Sequence, residues 1–148
     1  MRRLDFLPGS QSPRDASLTP QEAFAGILLV TVAGDGEASS EQTAAFVAVS
    51  NRIQLLKHQT TAEFNAMMEK LFGILDRQGP DALLERSSAV LPPELRETAF
   101  AVAVDLFADH AVEAKKRKMV TALQQRLGVA SDLAVKIVEV LSIKNRGS

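Results

Sequence analysis

Phe24-Ala-Gly-Ile-Leu-Leu-Val-Thr-Val-Ala-Gly-Asp35-Gly-Glu37 and Ala99-Phe-Ala-Val-Ala-Val-Asp105-Leu-Phe-Ala-Asp109-His110-Ala-Val112 are two versions of one device, offset by 74 positions (109 − 35 = 74). Each is an apolar run that reaches an Asp-bearing turn and then enters a patterned, helix-length segment. The same offset pairs Phe46 with Val120, Val49 with Leu123 and Ile53 with Leu127 without a gap. Both apolar runs are hydrophobic nearly all round, which predicts two central, buried helices, each followed by an amphipathic partner.

The flanking sequence supplies the other elements. Thr19, Pro20 and Glu22 fit an N-cap, a first helical residue and a capping-box partner, so the first helix starts there and stops at Gly34-Asp35-Gly36. A second helix starts near Ser39 or Ser40, with Ser39 and Gln42 as its capping box and Phe46, Val49 and Ile53 as its inner stripe. Thr60 with Glu63 caps a third, in which Phe64, Met67, Met68, Leu71, Phe72 and Leu75 follow helical spacing to Gly79. Pro80 opens a short fourth helix through about Ser88, with Leu83 and Leu84 inward. Pro92-Pro93 begins the fifth, and the sixth runs from about Val112 to Leu127 with Val120, Leu123 and Leu127 facing in. Ser131 caps a seventh, whose inner face is Leu133, Ile137, Val138 and Leu141. No stretch alternates as a strand does. The expected fold is all-α, a compact bundle of about seven helices built on two pseudo-repeated hairpins.

At 148 residues one domain is expected, burying roughly 70% of the surface its unfolded chain exposes. Hydrophobic content of 46% and charged content of 24% are globular values, which argues against global disorder. A net charge of −1 gives no overall attraction to nucleic acid or to an anionic membrane. With no Cys there is no disulfide, zinc-thiolate site or thiol nucleophile. The longest apolar run, Ala23 to Gly34, falls short of the ~20 residues that span a bilayer. Leu4, Phe6 and Leu7 before Pro8-Gly9 are too few for a signal-peptide core, and a cytoplasmic protein is the expectation. Residues 1–17, without period or caps, are expected to form a flexible tail whose removal leaves stability unchanged; residues 18–148 form the domain.

Asp105 interrupts an apolar helix at the position where the first copy has Thr31 (105 − 74 = 31), and it shares a face with Asp109 four residues on. Two carboxylates in one semi-buried place need a cation, a proton or donors. Either a hard cation sits between Asp105 and Asp109, with Asp35 and Glu41, or Asp105 pairs with Arg52, Lys57 or Arg126. Asp35, Glu37, Ser39 and Glu41 alternate like early calcium-loop ligands. However, Ser40 replaces the required Gly and Phe46 the bidentate Glu, so an EF-hand is rejected. A helix stop followed by acids at the positive end of the next helix explains the same residues. Neither His58 nor His110 has the spacing of a catalytic triad, and no Gly-rich phosphate loop is present, so a non-enzymatic protein is expected.

Several segments together carry a resemblance: Leu18-Thr-Pro-Gln-Glu-Ala-Phe24, Ala33-Gly-Asp35-Gly with Glu41, Leu75-Asp-Arg-Gln-Gly79, Leu91-Pro-Pro-Glu-Leu-Arg-Glu-Thr-Ala-Phe100, Asp105-Leu-Phe-Ala-Asp109 and Ile137-Val-Glu-Val-Leu-Ser-Ile-Lys-Asn-Arg-Gly147. From about Leu18 to Gly147 the chain resembles the tellurite-resistance TerB-like family. The resemblance implies a compact helical domain of stress-response and tellurite-resistance systems, with a divalent cation (Mg or Ca) held by acidic corner residues, here Asp35, Glu41, Asp105 and Asp109. The second turn departs from that pattern. His110 stands for a glycine, and Lys115-Lys116-Arg117-Lys118 stands where acids are expected, each cation opposing a divalent ion by ~1 kcal/mol at contact in water. The basic run suggests the competing class, a metal-independent interaction domain that docks an acidic protein partner through Lys115, Lys116, Arg117 and Lys118. Nucleic acid is not an expected partner, since no aromatic platform accompanies the run.

Overall fold

A computed structural model describes residues 17–33, 40–107 and 113–146, with side chains at all of these except 41, 42, 107 and 113–116. Seven helices follow in order: α1 (Pro20–Ala33), α2 (Ser40–Arg52), α3 (Thr61–Gln78), α4 (Pro80–Val90), α5 (Pro93–Phe107), α6 (Glu113–Leu127) and α7 (Ser131–Lys144). No strand occurs among the described residues. The architecture is all-α, and the repeat is visible in the element bounds. Shifting α1 and α2 by 74 places them at 94–107 and 114–126, within one residue of α5 and α6 at each end.

The predicted caps form where both partners are local. The Thr19 hydroxyl accepts from the Glu22 N–H (3.1 Å) while the Glu22 carboxylate accepts from the Thr19 N–H (2.9 Å). Thr60 and Glu63 repeat this reciprocal arrangement at α3. Gly79, at φ 91°, ends α3 and precedes Pro80 at the start of α4. Gly128, at φ 67°, ends α6 in a Schellman arrangement, with the Val129 N–H reaching Gln124 O and the Gly128 N–H reaching Gln125 O. The α7 cap differs from expectation. Ala130 occupies the N-cap, and Ser131 is the first helical residue, where its hydroxyl accepts from Gln124 Nε2. Ser39 and the Gln42 side chain lie outside the described residues, as do the tail residues 1–16.

Helix α1 is the centre of the molecule. Every residue from Ala23 to Ala33 is buried, and α2, α3, α4 and α5 all pack on it. Its approach to α4 is close: a Cβ on Gly26 would stand 2.6 Å from Ser87 Oγ. Helix α5 is less enclosed than its all-apolar sequence predicts. Ala99, Phe100, Ala103, Val104 and Leu106 are buried, but Ala101, Val102 and Asp105 are only half-buried, because the flank facing α2 and α7 stays open. In α3 the buried positions are Met67, Leu71 and Ile74, whereas Phe72, part of the same helically spaced apolar set, is 45% exposed.

Candidate functional site

Asp105 is the member of the predicted acidic set whose surroundings are described. It lies two residues before the end of α5, on the lip of a cleft of about 330 Å³ lined by Val49, Arg52, Ile53, Ala101, Val102 and Leu141. The last turn of α7 reaches it. Lys144 Nζ stands 3.3 Å from Asp105 Oδ2 and 3.4 Å from Oδ1, and Asn145 Nδ2 donates to Oδ1 at 3.0 Å. Lys144 also donates to Asn145 Oδ1, which closes a three-residue cluster. The side chains of Asp105 and Lys144 are 31% and 59% exposed, so this is a surface-grade ion pair with one additional donor rather than a buried one.

The partner of Asp105 is therefore none of the three cations its sequence context suggested. Arg52 lines the same cleft without ion-pairing to Asp105, Lys57 lies exposed beyond α2, and Arg126 pairs with Asp81 at 3.5 Å. Lys144 and Asn145 were missed because they lie 39 and 40 residues away in sequence, and periodicity carries no information at that range. Asp35, Asp109 and His110 lie outside the described residues, and Glu41 is described only as a backbone position in the first turn of α2. Among the described residues no group of three or more His, Asp or Glu is placed to hold a metal ion. In the basic run Arg117 and Lys118 are exposed on α6; the side chains of Lys115 and Lys116 are outside the described set. His58 is exposed in the turn after α2.

A second concavity had no counterpart in the sequence reading. Between α1, α2 and α3 lies a cleft of about 530 Å³, floored by Leu29, Val32 and Phe46 and walled by Met68, Phe72 and Val47. Phe64 and Leu75 of the same helical stripe also line it. A stripe of four large side chains beside the Met67-Leu71-Ile74 core face could have suggested a second apolar surface.

Midway along α3, Lys70 Nζ is 2.9 Å from the Glu22 carboxylate and also donates to Ser17 O. Burial pushes the Glu22 carboxyl up, but the Thr19 N–H, the Lys70 ammonium and the Thr19 hydroxyl outweigh it and hold it below the ordinary glutamate value. This cluster ties the start of α1 to α3.

Compared with models of known families, with characterised proteins and with solved structures, the chain finds no match. No helix among the described residues is long and apolar enough to cross a membrane.

Proposed function

We propose that the chain is a non-enzymatic, TerB-like interaction module in which Asp105 serves structure and the basic run of α6 docks an acidic protein partner. The observation that carries this reading is the commitment of the Asp105 carboxylate to Lys144 and Asn145. A carboxylate that already faces an ammonium and accepts from an amide is a weaker cation ligand, because its charge is partly compensated and the ammonium repels an incoming metal ion. Arg52 on the same cleft adds a positive charge that disfavours a divalent ion further. The basic run, by contrast, presents Arg117 and Lys118 to solvent.

Two measurements test this. Melts of the protein with chelator and with millimolar Mg, Ca or Mn should coincide. A rise that follows RT ln(1 + [L]/Kd) would reinstate the cation held by Asp35, Glu41, Asp105 and Asp109. Retention on immobilised polyglutamate should be salt-sensitive and should disappear when Lys115, Lys116, Arg117 and Lys118 are all changed to Glu. That variant places acids at a helix N-terminus, which the macrodipole favours, so loss of fold is not the expected cause of lost binding. Failure of the native chain to bind polyglutamate at low salt would overturn the docking role.

A further inference from the structure

The cleft between α1, α2 and α3 is apolar, concave and of a size that takes a few large side chains. Phe72 and Val47, on its walls, are 45% and 41% exposed. On the solvent side of α3, Glu69 and Asp76 bracket Phe72 at i−3 and i+4, and neither is ion-paired among the described residues. The groove therefore asks for an occupant with large apolar side chains beside positive charge.

The chain carries such a segment. Of the sequence outside the described residues, 34–39 and 147–148 hold no large apolar side chain, and 108–112 hold only Val112. Residues 1–16 hold Leu4, Phe6 and Leu7 directly after Arg2-Arg3. The point from which this segment departs is held on α3, where Ser17 O accepts from Lys70 on the side of the helix away from Phe72, so the segment must pass around α3 to reach the cleft. From Ser17 back to Phe6 is 11 residues (17 − 6), which extend to about 36 Å. A domain of this length has a radius of gyration of about 15 Å, so that reach covers the way from Ser17 to the cleft.

We propose that this cleft is the docking groove of the chain's own N-terminal segment. Leu4, Phe6 and Leu7 cover Leu29, Met68 and Phe72, and Arg2-Arg3 face Glu69 and Asp76. The gain from burying three such side chains is of the same order as the cost of ordering the residues that carry them. Tethering raises the local concentration of the segment enough to tip that balance, so the contact is intramolecular and reversible. This goes beyond the role proposed for α6, uses a different surface and stands or falls separately from it.

The chain has no Trp and no Cys, which makes the test direct. Phe6→Trp in the full chain should show blue-shifted emission and weaker quenching by acrylamide than the free peptide of residues 1–11 carrying the same change. Adding Phe72→Asp, an exposed position whose loss spares the core, should return the emission to that of the free peptide. Paired cysteines locate the contact: under mild oxidation Phe6→Cys with Val47→Cys should close within one molecule, whereas Phe6→Cys with Val140→Cys on exposed α7 should not. Emission identical to the peptide, or equal closure to both cysteines, overturns the proposal. Closure mainly between molecules, or a blue shift that grows with protein concentration, also overturns it, since the occupant is then a second copy. Emission that stays blue-shifted in Phe72→Asp overturns the choice of this cleft.

Discussion

The two hairpins, α1–α2 and α5–α6, share length, order and spacing yet meet the solvent differently. Five pairs of equivalent positions show how. Gly26 corresponds to Phe100 (26 + 74 = 100): the glycine gives up its side chain so that α4 can lie close on α1, whereas the phenylalanine is itself a fully buried core side chain. Thr31 corresponds to Asp105. Thr31 is 2% exposed and its hydroxyl donates back to Ile27 O at 2.9 Å, whereas Asp105 stays half-buried and reaches out to α7. Phe46 is buried where Val120 is only half-buried, while Leu123 and Leu127 are buried where Val49 and Ile53 are half-buried. Sequence repetition sets the frame, and what packs on each copy decides which polar group it tolerates.

Exchanging residues between the copies should have the largest effect at position 31. Thr31→Asp places a carboxylate among fully buried neighbours and should cost about 3–5 kcal/mol, the penalty of an uncompensated buried charge. The reverse change, Asp105→Thr, should cost under ~1 kcal/mol, since it removes a solvent-screened pair. Urea unfolding of both variants measures the contrast, and equal losses would mean the two sites are not differently enclosed.

Next in size is Gly26→Ala. Overpacking against Ser87 and Leu83 should cost about 1–3 kcal/mol, offset by the roughly 1 kcal/mol that alanine regains over glycine in a helix. Ser87 Oγ is buried and has no hydrogen-bond partner among the described residues. Ser87→Ala alone should thus be neutral or slightly stabilising, and combined with Gly26→Ala it should recover most of the loss. Additive effects in that double-mutant cycle would show that the two helices do not meet as described.

Asp105→Asn sharpens the comparison from the other hairpin. A loss of about 0.2–1 kcal/mol is expected, unchanged by Mg, Ca or Mn, because the pair with Lys144 is largely solvated. A loss above ~3 kcal/mol would indicate a truly buried pair. An effect of similar size belongs to Glu22→Gln at the start of α1. The carboxyl is held below its ordinary value in the fold, so its contribution is complete above the ordinary value of 4.5 and fades as the pH falls through the folded value. Wild type should be the more stable by up to ~1 kcal/mol near neutrality, with the melting temperatures of the two proteins converging in acid.

Much of this was readable in the chain, and the division follows range. The Thr19–Glu22 and Thr60–Glu63 boxes, the stops at Gly79 and Gly128 and the offset of 74 depend on neighbours a few residues apart or on direct comparison of segments. The α7 start slipped by one residue because Ala130 and Ser131 both precede the periodic stretch. The fate of Phe72 was not readable. Helical spacing gives α3 two apolar arcs, and only the positions of α1, α2 and α4 decide that Met67, Leu71 and Ile74 go in while Phe72 lines a cleft. The candidate site was legible as an anomaly at Asp105 but not as a contact with Lys144 and Asn145. The tail, Asp35 and Asp109 fall outside the described residues.

The complete enclosure of α1 has a consequence for biosynthesis. A helix without a polar face has no stable form on its own, and its coverings include α4 and α5, which arrive only when Phe107 has been made. The 74 residues between Ala33 and Phe107 (107 − 33 = 74) take about 4–15 s to translate at ~5–20 residues per second. Until then the cover over Ile27-Leu28-Leu29-Val30 is incomplete, and this stretch of the nascent chain is suited to capture by a holdase chaperone. The order of the two hairpins along the chain thus makes the more deeply buried helix the longer-waiting one.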